Sequence, residues 1–284
     1  MSTPAAVELR QGALRLALRP DLGGAIAGLW LDDLPVLRSV EPSTLSSARE
    51  SASYALVPYS NRIGERQFQW RGRNYTTADN WPGEPHSLHG VGWSSAWQVT
   101  HRSDARVTLA LTHPSDAHWP FGFHAEQTFE LSATSLRITM VVANIDAREM
   151  PLGMGWHPYF PRRGHSRVHL ELTHRWEADA GKLPTHRVAQ NALDADVAVL
   201  DLDNCFDGWS GPARIRDEKL SLRLTSSLTH AVVYAPPGRD FFCVEPVSHV
   251  NNAVRSDDPL GQGLIALGSG ETAQAWMQLD VART

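Results

Sequence analysis

The chain has 284 residues, 42% of them hydrophobic, with 31 acidic against 26 basic side chains and a formal net charge of -5. That balance supplies no basic stripe for a phosphate backbone, which excludes nucleic acid as a partner. No apolar run approaches the roughly 18 residues of a membrane-spanning helix. The length is sufficient for a large buried core, and no Pro/Gly/Ser-rich or charged linker divides it, so residues 1–284 are expected to form one domain.

The opening MSTPAAVELRQ lacks a basic start followed by an apolar stretch, so no secretory leader is expected. Cys205 and Cys243 are too few for a disulfide framework and are not in metal-type spacing, which fits a reducing, cytoplasmic compartment. Ten tryptophans and thirteen histidines are an unusual stock of flat apolar faces and titratable rings, and sugar sites use such faces against C–H surfaces, although a core would account for most of the tryptophans.

Alternation of period two then recurs down the chain and predicts half-buried strands. It is carried by Leu14, Leu16 and Leu18, by Val107, Leu109 and Leu111, and by Phe123, Ala125, Gln127, Phe129 and Leu131. Leu136, Ile138, Met140 and Val142 continue it, followed by Val168, Leu170 and Leu172, and by Leu220, Leu222 and Leu224. Gln69-Trp70-Arg71-Gly72-Arg73-Asn74-Tyr75 predicts a hairpin turn. Only Pro42 to Tyr54 has the composition of a helix, of about two or three turns, without a convincing apolar stripe. Many short strands with no alternating helices predict an all-β chain, a large antiparallel β-sandwich or barrel-like architecture.

Four segments interrupt that rhythm. In Pro58-Tyr59-Ser60-Asn61-Arg62-Ile63-Gly64, Arg62 offers a planar fork of donors suited to hydroxyl or carboxylate oxygens, although a surface arginine beside a turn has the same local sequence. In His86-Ser87-Leu88-His89-Gly90, an extended backbone sends the two histidines to opposite faces, which speaks against a shared metal ion and leaves His89 as a ligand-facing or structural ring. In Gly153-Met154-Gly155-Trp156-His157-Pro158-Tyr159-Phe160, the glycines permit unusual angles or close approach, and Pro158 biases His157 towards extended backbone. An imidazole titrates near neutral pH and suits proton transfer, although a histidine satisfied in an aromatic core has the same local sequence. In Phe241-Phe242-Cys243-Val244-Glu245-Pro246, a carboxylate ends an apolar run; buried, it would have a raised pKa and serve as a general base, and facing solvent it would be inert. Asp203, in Leu202-Asp203-Asn204-Cys205-Phe206, either orients a hydroxyl or caps a turn.

Taken in order, Asn61-Arg62-Ile63, Leu88-His89-Gly90, His157-Pro158-Tyr159-Phe160, Asp203-Asn204-Cys205-Phe206 and Glu245 resemble the aldose 1-epimerase (galactose mutarotase) family. The likeness extends to Leu267-Gly268-Ser269-Gly270-Glu271-Thr272, similar to the family's last turn before its final strand. The resemblance implies a supersandwich of antiparallel sheets with the sugar in an open cleft. It implies Glu245 as the base at the C1 hydroxyl and His157 as the acid at the ring oxygen. Arg62, His89, Asp203 and Asn61 would hold the sugar. Ring opening needs one proton removed and one delivered two bonds apart, so no metal or other cofactor is expected. The chain departs from the best-known members at Pro246-Val247-Ser248-His249, where they run Thr-Gln, and this leaves the sugar open.

The nearest alternative is a hexose-6-phosphate epimerase on the same fold, which would bring a second arginine such as Arg66, Arg71 or Arg73 to the site. A glycosidase would need Glu245 and Asp203 to face each other across a scissile bond, and a non-catalytic carbohydrate-binding protein would not need both His157 and Glu245. Gly261-Gln262-Gly263 lacks the third glycine and the helix of a dinucleotide site. The expected partner is a small sugar, with the chain a monomer or weak dimer.

Overall fold

Alternation becomes strand pairing along nearly the whole chain in the computed structural model, which describes residues 6–284; residues 1–5, part of the opening segment considered above for targeting, lie outside it. A nine-stranded sheet runs in the order Gln98–Arg102, Arg106–His113, Phe123–Leu131, Ser135–Asn144, Thr272–Arg283, Leu220–Ser226, Ser210–Arg216, Arg167–Glu171, Leu193–Asp196. Its neighbours are antiparallel throughout. An eight-stranded antiparallel sheet orders Pro184–Ala189, His174–Ala178, Leu202–Asp207, His230–Ala235, Phe241–Val247, Gly155–Trp156 and Ala55–Leu56, with Tyr159–Pro161 also paired to Phe241–Val247. Val7–Gln11, Leu14–Arg19, Ala25–Leu31 and Leu34–Pro35 form a four-stranded meander. No helix among the described residues is long and apolar enough to cross a membrane.

The two large sheets share one core. Val107, Leu109, Phe129, Ile138, Met140 and Val142 from the first pack in the same buried cluster as Phe206, Val233, Phe242 and Val244 from the second. Burying each such side chain contributes about 1.5–3 kcal/mol. Between the apolar layers one polar contact ties sheet to sheet: the Trp156 indole N–H donates to the Gln127 side-chain oxygen at 3.1 Å. Gly155 is set by close approach, since a Cβ there would lie 2.5 Å from the Pro246 carbonyl oxygen, and only a residue without one lets its strand lie against Phe241–Val247.

The predicted hairpin forms, with Gln67–Trp70 and Arg73–Thr76 joined through Arg71 and Gly72, both at positive φ as a two-residue turn of the I′ type demands. The helix expected over Pro42 to Tyr54 does not. That stretch contains a single 3-10 turn, Ala48–Glu50, capped by the Ser47 hydroxyl. Without an apolar stripe to bury, a helix there gains no packing. Its carbonyls are used otherwise: the Arg38 guanidinium donates to the backbone oxygens of Arg49 at 2.8 Å and Ser51 at 3.1 Å.

Trp156→Phe keeps an aromatic ring in the core but removes the indole N–H and part of the ring volume, which strands the Gln127 oxygen between the sheets. The variant is expected to lose about 1–3 kcal/mol of stability, read as a lower denaturant midpoint at unchanged slope. Much of the loss should return when Gln127→Met is added.

Candidate functional site

Period two decides which side chains leave the core. In Phe241–Val247, Phe242 and Val244 enter the inter-sheet cluster, and Cys243, Glu245 and Val247 therefore point to the opposite face. Registers then place the neighbours. Gly155 pairs with Val247 and Tyr159 with Cys243, so the segment between brings His157 opposite Glu245. On the other side Tyr234 lies opposite both Cys243 and Asp203, which aligns Asp203 across the sheet. Pro158 lacks an N–H, and the His157 N–H donates to the Tyr54 carbonyl at 3.0 Å.

The result is a cavity of about 610 Å³ on that face, lined among others by Asn61, Arg62, His89, His157, Asp203 and Glu245. These are the six residues singled out in the sequence. Glu245, 2% exposed, approaches His157, 6% exposed, with 3.3 Å between Oε1 and Nε2. Glu245 Oε2 and His157 Nδ1 are buried and have no hydrogen-bond partner among the described residues. Burial pushes the Glu245 carboxyl well above the usual carboxylate range, Asp203 adds to the shift, and Arg62 opposes it. Burial, with the Arg38 cation adding to it, lowers the His157 imidazole to about 3. Both shifts favour the neutral forms, a protonated carboxyl beside an uncharged ring.

The opposite wall is a reciprocal clasp between two residues in the left-handed backbone region, Asn61 at φ 57° and His89 at φ 62°. The Asn61 N–H donates to His89 Nδ1 at 3.1 Å and the His89 N–H donates to the Asn61 carbonyl at 2.9 Å. With Nδ1 accepting, the neutral ring carries its proton on Nε2. Burial holds His89 well below its ordinary pKa, with His157 and Arg62 reinforcing it. Left-handed backbone costs a histidine of order 1–3 kcal/mol, and such strain concentrates at functional sites. Gly90 follows, also at positive φ, where a Cβ would meet the Val57 carbonyl oxygen at 2.2 Å. Arg62 is half-buried rather than on the surface: it donates to Glu84 Oε2 at 3.2 Å and Asn61 Oδ1 at 3.3 Å, and its Nε has no partner. Asp203 sits within a strand rather than capping a turn, and its carboxylate lies 3.7 Å from Lys182 Nζ.

Other cavity residues were not singled out in the sequence. The Tyr159 ring stacks on His157 at 4.4 Å and 17°, and the Arg38 guanidinium covers Tyr159 at 3.8 Å. Arg49 lies 3.7 Å over the Trp81 ring, and Tyr54 packs 4.9 Å from His157. Arg239 completes the basic rim. Tyr159 was within reach, since it follows His157 at i+2 and shares its face; Arg38, Trp81 and Arg239 arrive by long-range folding. The arginines proposed for a phosphate do not converge: Arg66 faces Asp79, Arg71 faces Glu149 beside another surface groove, and Arg73 is exposed. His86 and His89 do not share a ligand, as His86 Nδ1 accepts from the Glu65 N–H. One group among the described residues has metal-type donors in reach of each other, namely His157, Cys243 and Glu245.

The family model described as aldose 1-epimerase matches residues 5–280. The Escherichia coli (strain K12) protein YphB is 33% identical over 293 residues, covering 96% of this chain and 97% of its own. A crystal structure from Escherichia coli K12 superposes with a TM-score of 0.89 at 30% identity, covering 99% of both chains. Galactose 1-epimerase from Lactobacillus acidophilus NCFM shares the fold, with a TM-score of 0.80 at 14% identity, covering 98% of this chain and 95% of its own.

Because the folded-state pKa of Glu245 is raised, the stability it contributes is complete below its ordinary value of 4.5 and is lost as pH rises through the folded value. Glu245→Gln removes that loss. Near pH 7 the variant is expected to exceed wild type by at least about 1 kcal/mol, the gap closing as pH falls towards 4.5. Calorimetry across that range checks it, and a variant less stable at every pH would mean an ionised, well-paired carboxylate.

Proposed function

Because the chain belongs to the aldose 1-epimerase family, we propose that it interconverts the α and β anomers of an aldose by opening and reclosing the ring. The observation that carries this reading is the buried Glu245–His157 pair, 3.3 Å apart and open to a cavity large enough for a monosaccharide. Hydroxyls of the sugar would occupy the unpartnered Glu245 Oε2 and the free donors of Arg62 and His89.

The electrostatics of the pair suggest how it works. Moving the shared proton from the carboxyl to the ring gives a carboxylate and an imidazolium, the working form, and sugar hydroxyls donating to the carboxylate offset its cost. Glu245 then takes the proton of the C1 hydroxyl as His157 gives its Nε2 proton to the ring oxygen, and the C1–O5 bond breaks to leave the free aldehyde. The pair ends this step as carboxylic acid and neutral imidazole. Burial favours that state, so the dry pocket that raises the cost of the working form also draws ring opening forward. After rotation about C1–C2, the reversed transfers close the ring on the other face. Tyr159, stacked on His157, and the His89–Asn61 clasp would hold both donors in place. The balance of protons needs no cofactor.

Freshly dissolved α-glucose and α-galactose, followed by polarimetry, test this. Wild type should speed equilibration, and Glu245→Gln and His157→Ala should each lose about 10²–10⁴-fold. An His157→Ala variant with full activity would remove the acid assignment.

A second reading, the phosphorylated sugar, is favoured by one observation: Arg38, Arg49 and Arg239 line the cavity and form no ion pair with a carboxylate among the described residues. Arginine forks without acidic partners suit phosphate oxygens. On this reading glucose 6-phosphate is processed at lower KM than glucose, and Arg239→Ala raises the KM of the phosphorylated sugar about tenfold or more while leaving that of glucose in place. Equal KM values for the two sugars would remove it.

A further inference from the structure

We propose that His157, Cys243 and Glu245 form a binding site for a thiophilic divalent metal, Zn²⁺ being the probe, and that the ion blocks the proton transfers of the cleft. The blocking half rests on the mutarotase reading, whereas the binding half does not.

Geometry supplies the three donors. Cys243 and Glu245 are two residues apart on one strand and so face the same way, and the register of the adjoining segment sets His157 beside them. One ligand atom from each lies within 4.8 Å of the others, and all three side chains are buried. Around a tetrahedral Zn²⁺ with bonds of roughly 2.0–2.3 Å, donors stand about 3.3–3.8 Å apart. The imidazole and carboxylate already meet that spacing at 3.3 Å. With every pair of donor atoms within 4.8 Å, the thiol needs to close by at most about 1 Å.

The unmet hydrogen-bonding capacity of the site points the same way. Glu245 Oε2 and His157 Nδ1 are buried without partners, so this pocket wants a cation or a donor on one and a donor or acceptor on the other. A nitrogen, a sulfur and a carboxylate oxygen select Zn²⁺ over Mg²⁺ or Ca²⁺, which require oxygen shells. Three protein ligands leave a fourth position towards the cavity, through which the ion would enter and hold water. Binding exchanges two protons for the metal: the Cys243 thiol and the Glu245 carboxyl each lose one to solvent and become a zinc thiolate and a zinc carboxylate. The ion's two charges match one thiolate and one carboxylate. With Nε2 and the carboxylate occupied, neither can move a proton to or from a sugar.

Co²⁺, whose thiolate complexes absorb in the near ultraviolet, reports the sulfur ligand directly and is titrated into wild type, Cys243→Ala and Cys205→Ala, followed by Zn²⁺ competition. Wild type and Cys205→Ala are expected to bind one equivalent with the thiolate band. Cys243→Ala should lose the band and roughly 100-fold in affinity, and should keep its anomerisation rate in the presence of Zn²⁺ that stops wild type. Absence of binding, a thiolate band that survives in Cys243→Ala, or equal competition by Mg²⁺ would overturn the site. Binding that leaves wild-type anomerisation untouched would overturn the block alone. A protein inactive on every sugar would count against the mutarotase reading, and the cobalt spectrum would still decide the metal site.

Discussion

A carboxyl group kept out of water beside a buried imidazole is the constraint around which the rest of the molecule is arranged. Isolated burial of an ionised carboxylate costs several kcal/mol, and Glu245 is placed where ionisation is expensive but one proton donor and acceptor is in contact. To hold it there the chain uses a central strand of the eight-stranded sheet, a glycine without which the next strand could not approach, and an aromatic layer over the imidazole. Each of these is a packing requirement whose outcome is electrostatic.

Strain and charge are distributed accordingly. The left-handed backbone at Asn61 and His89 lies in one wall, closed by two reciprocal hydrogen bonds that fix the His89 tautomer. The arginines sort by position: Arg62 is tethered to Glu84, whereas Arg38 and Arg49 lie flat on aromatic rings with their charge uncompensated by acids. In a chain of net charge -5, a rim with spare positive charge sets a local field that the overall composition conceals.

The all-β architecture was legible because a half-buried strand writes its burial into every second residue, and the segments around Val107, Phe123 and Leu136 did so. The six candidate residues stood out because they interrupt that alternation and because, taken in order, their segments resemble one family; all six line one cavity. What failed was Pro42 to Tyr54, where composition suggested a helix and tertiary bonds from Arg38 took the carbonyls instead. Arg38, Trp81 and Arg239 were illegible for a related reason, since nothing local distinguishes a rim arginine from a surface one. Cys243 was discounted on spacing to other cysteines, although its relation to Glu245 at i+2 on a strand was plain in the sequence.

The register of the nine-stranded sheet has a consequence for how the molecule comes into being. Its centre is the strand Thr272–Arg283, inserted between Ser135–Asn144 and Leu220–Ser226, and the first of these pairings closes a loop on the order of a hundred residues. Before that strand arrives, the sheet is two fragments, each presenting an unpaired edge of the kind that recruits other chains. The sheet that backs the cleft is thus sealed by one of the most non-local contacts in the fold, and a nascent chain would carry a complete set of proton-transfer residues for some time before it had a wall to hold them against.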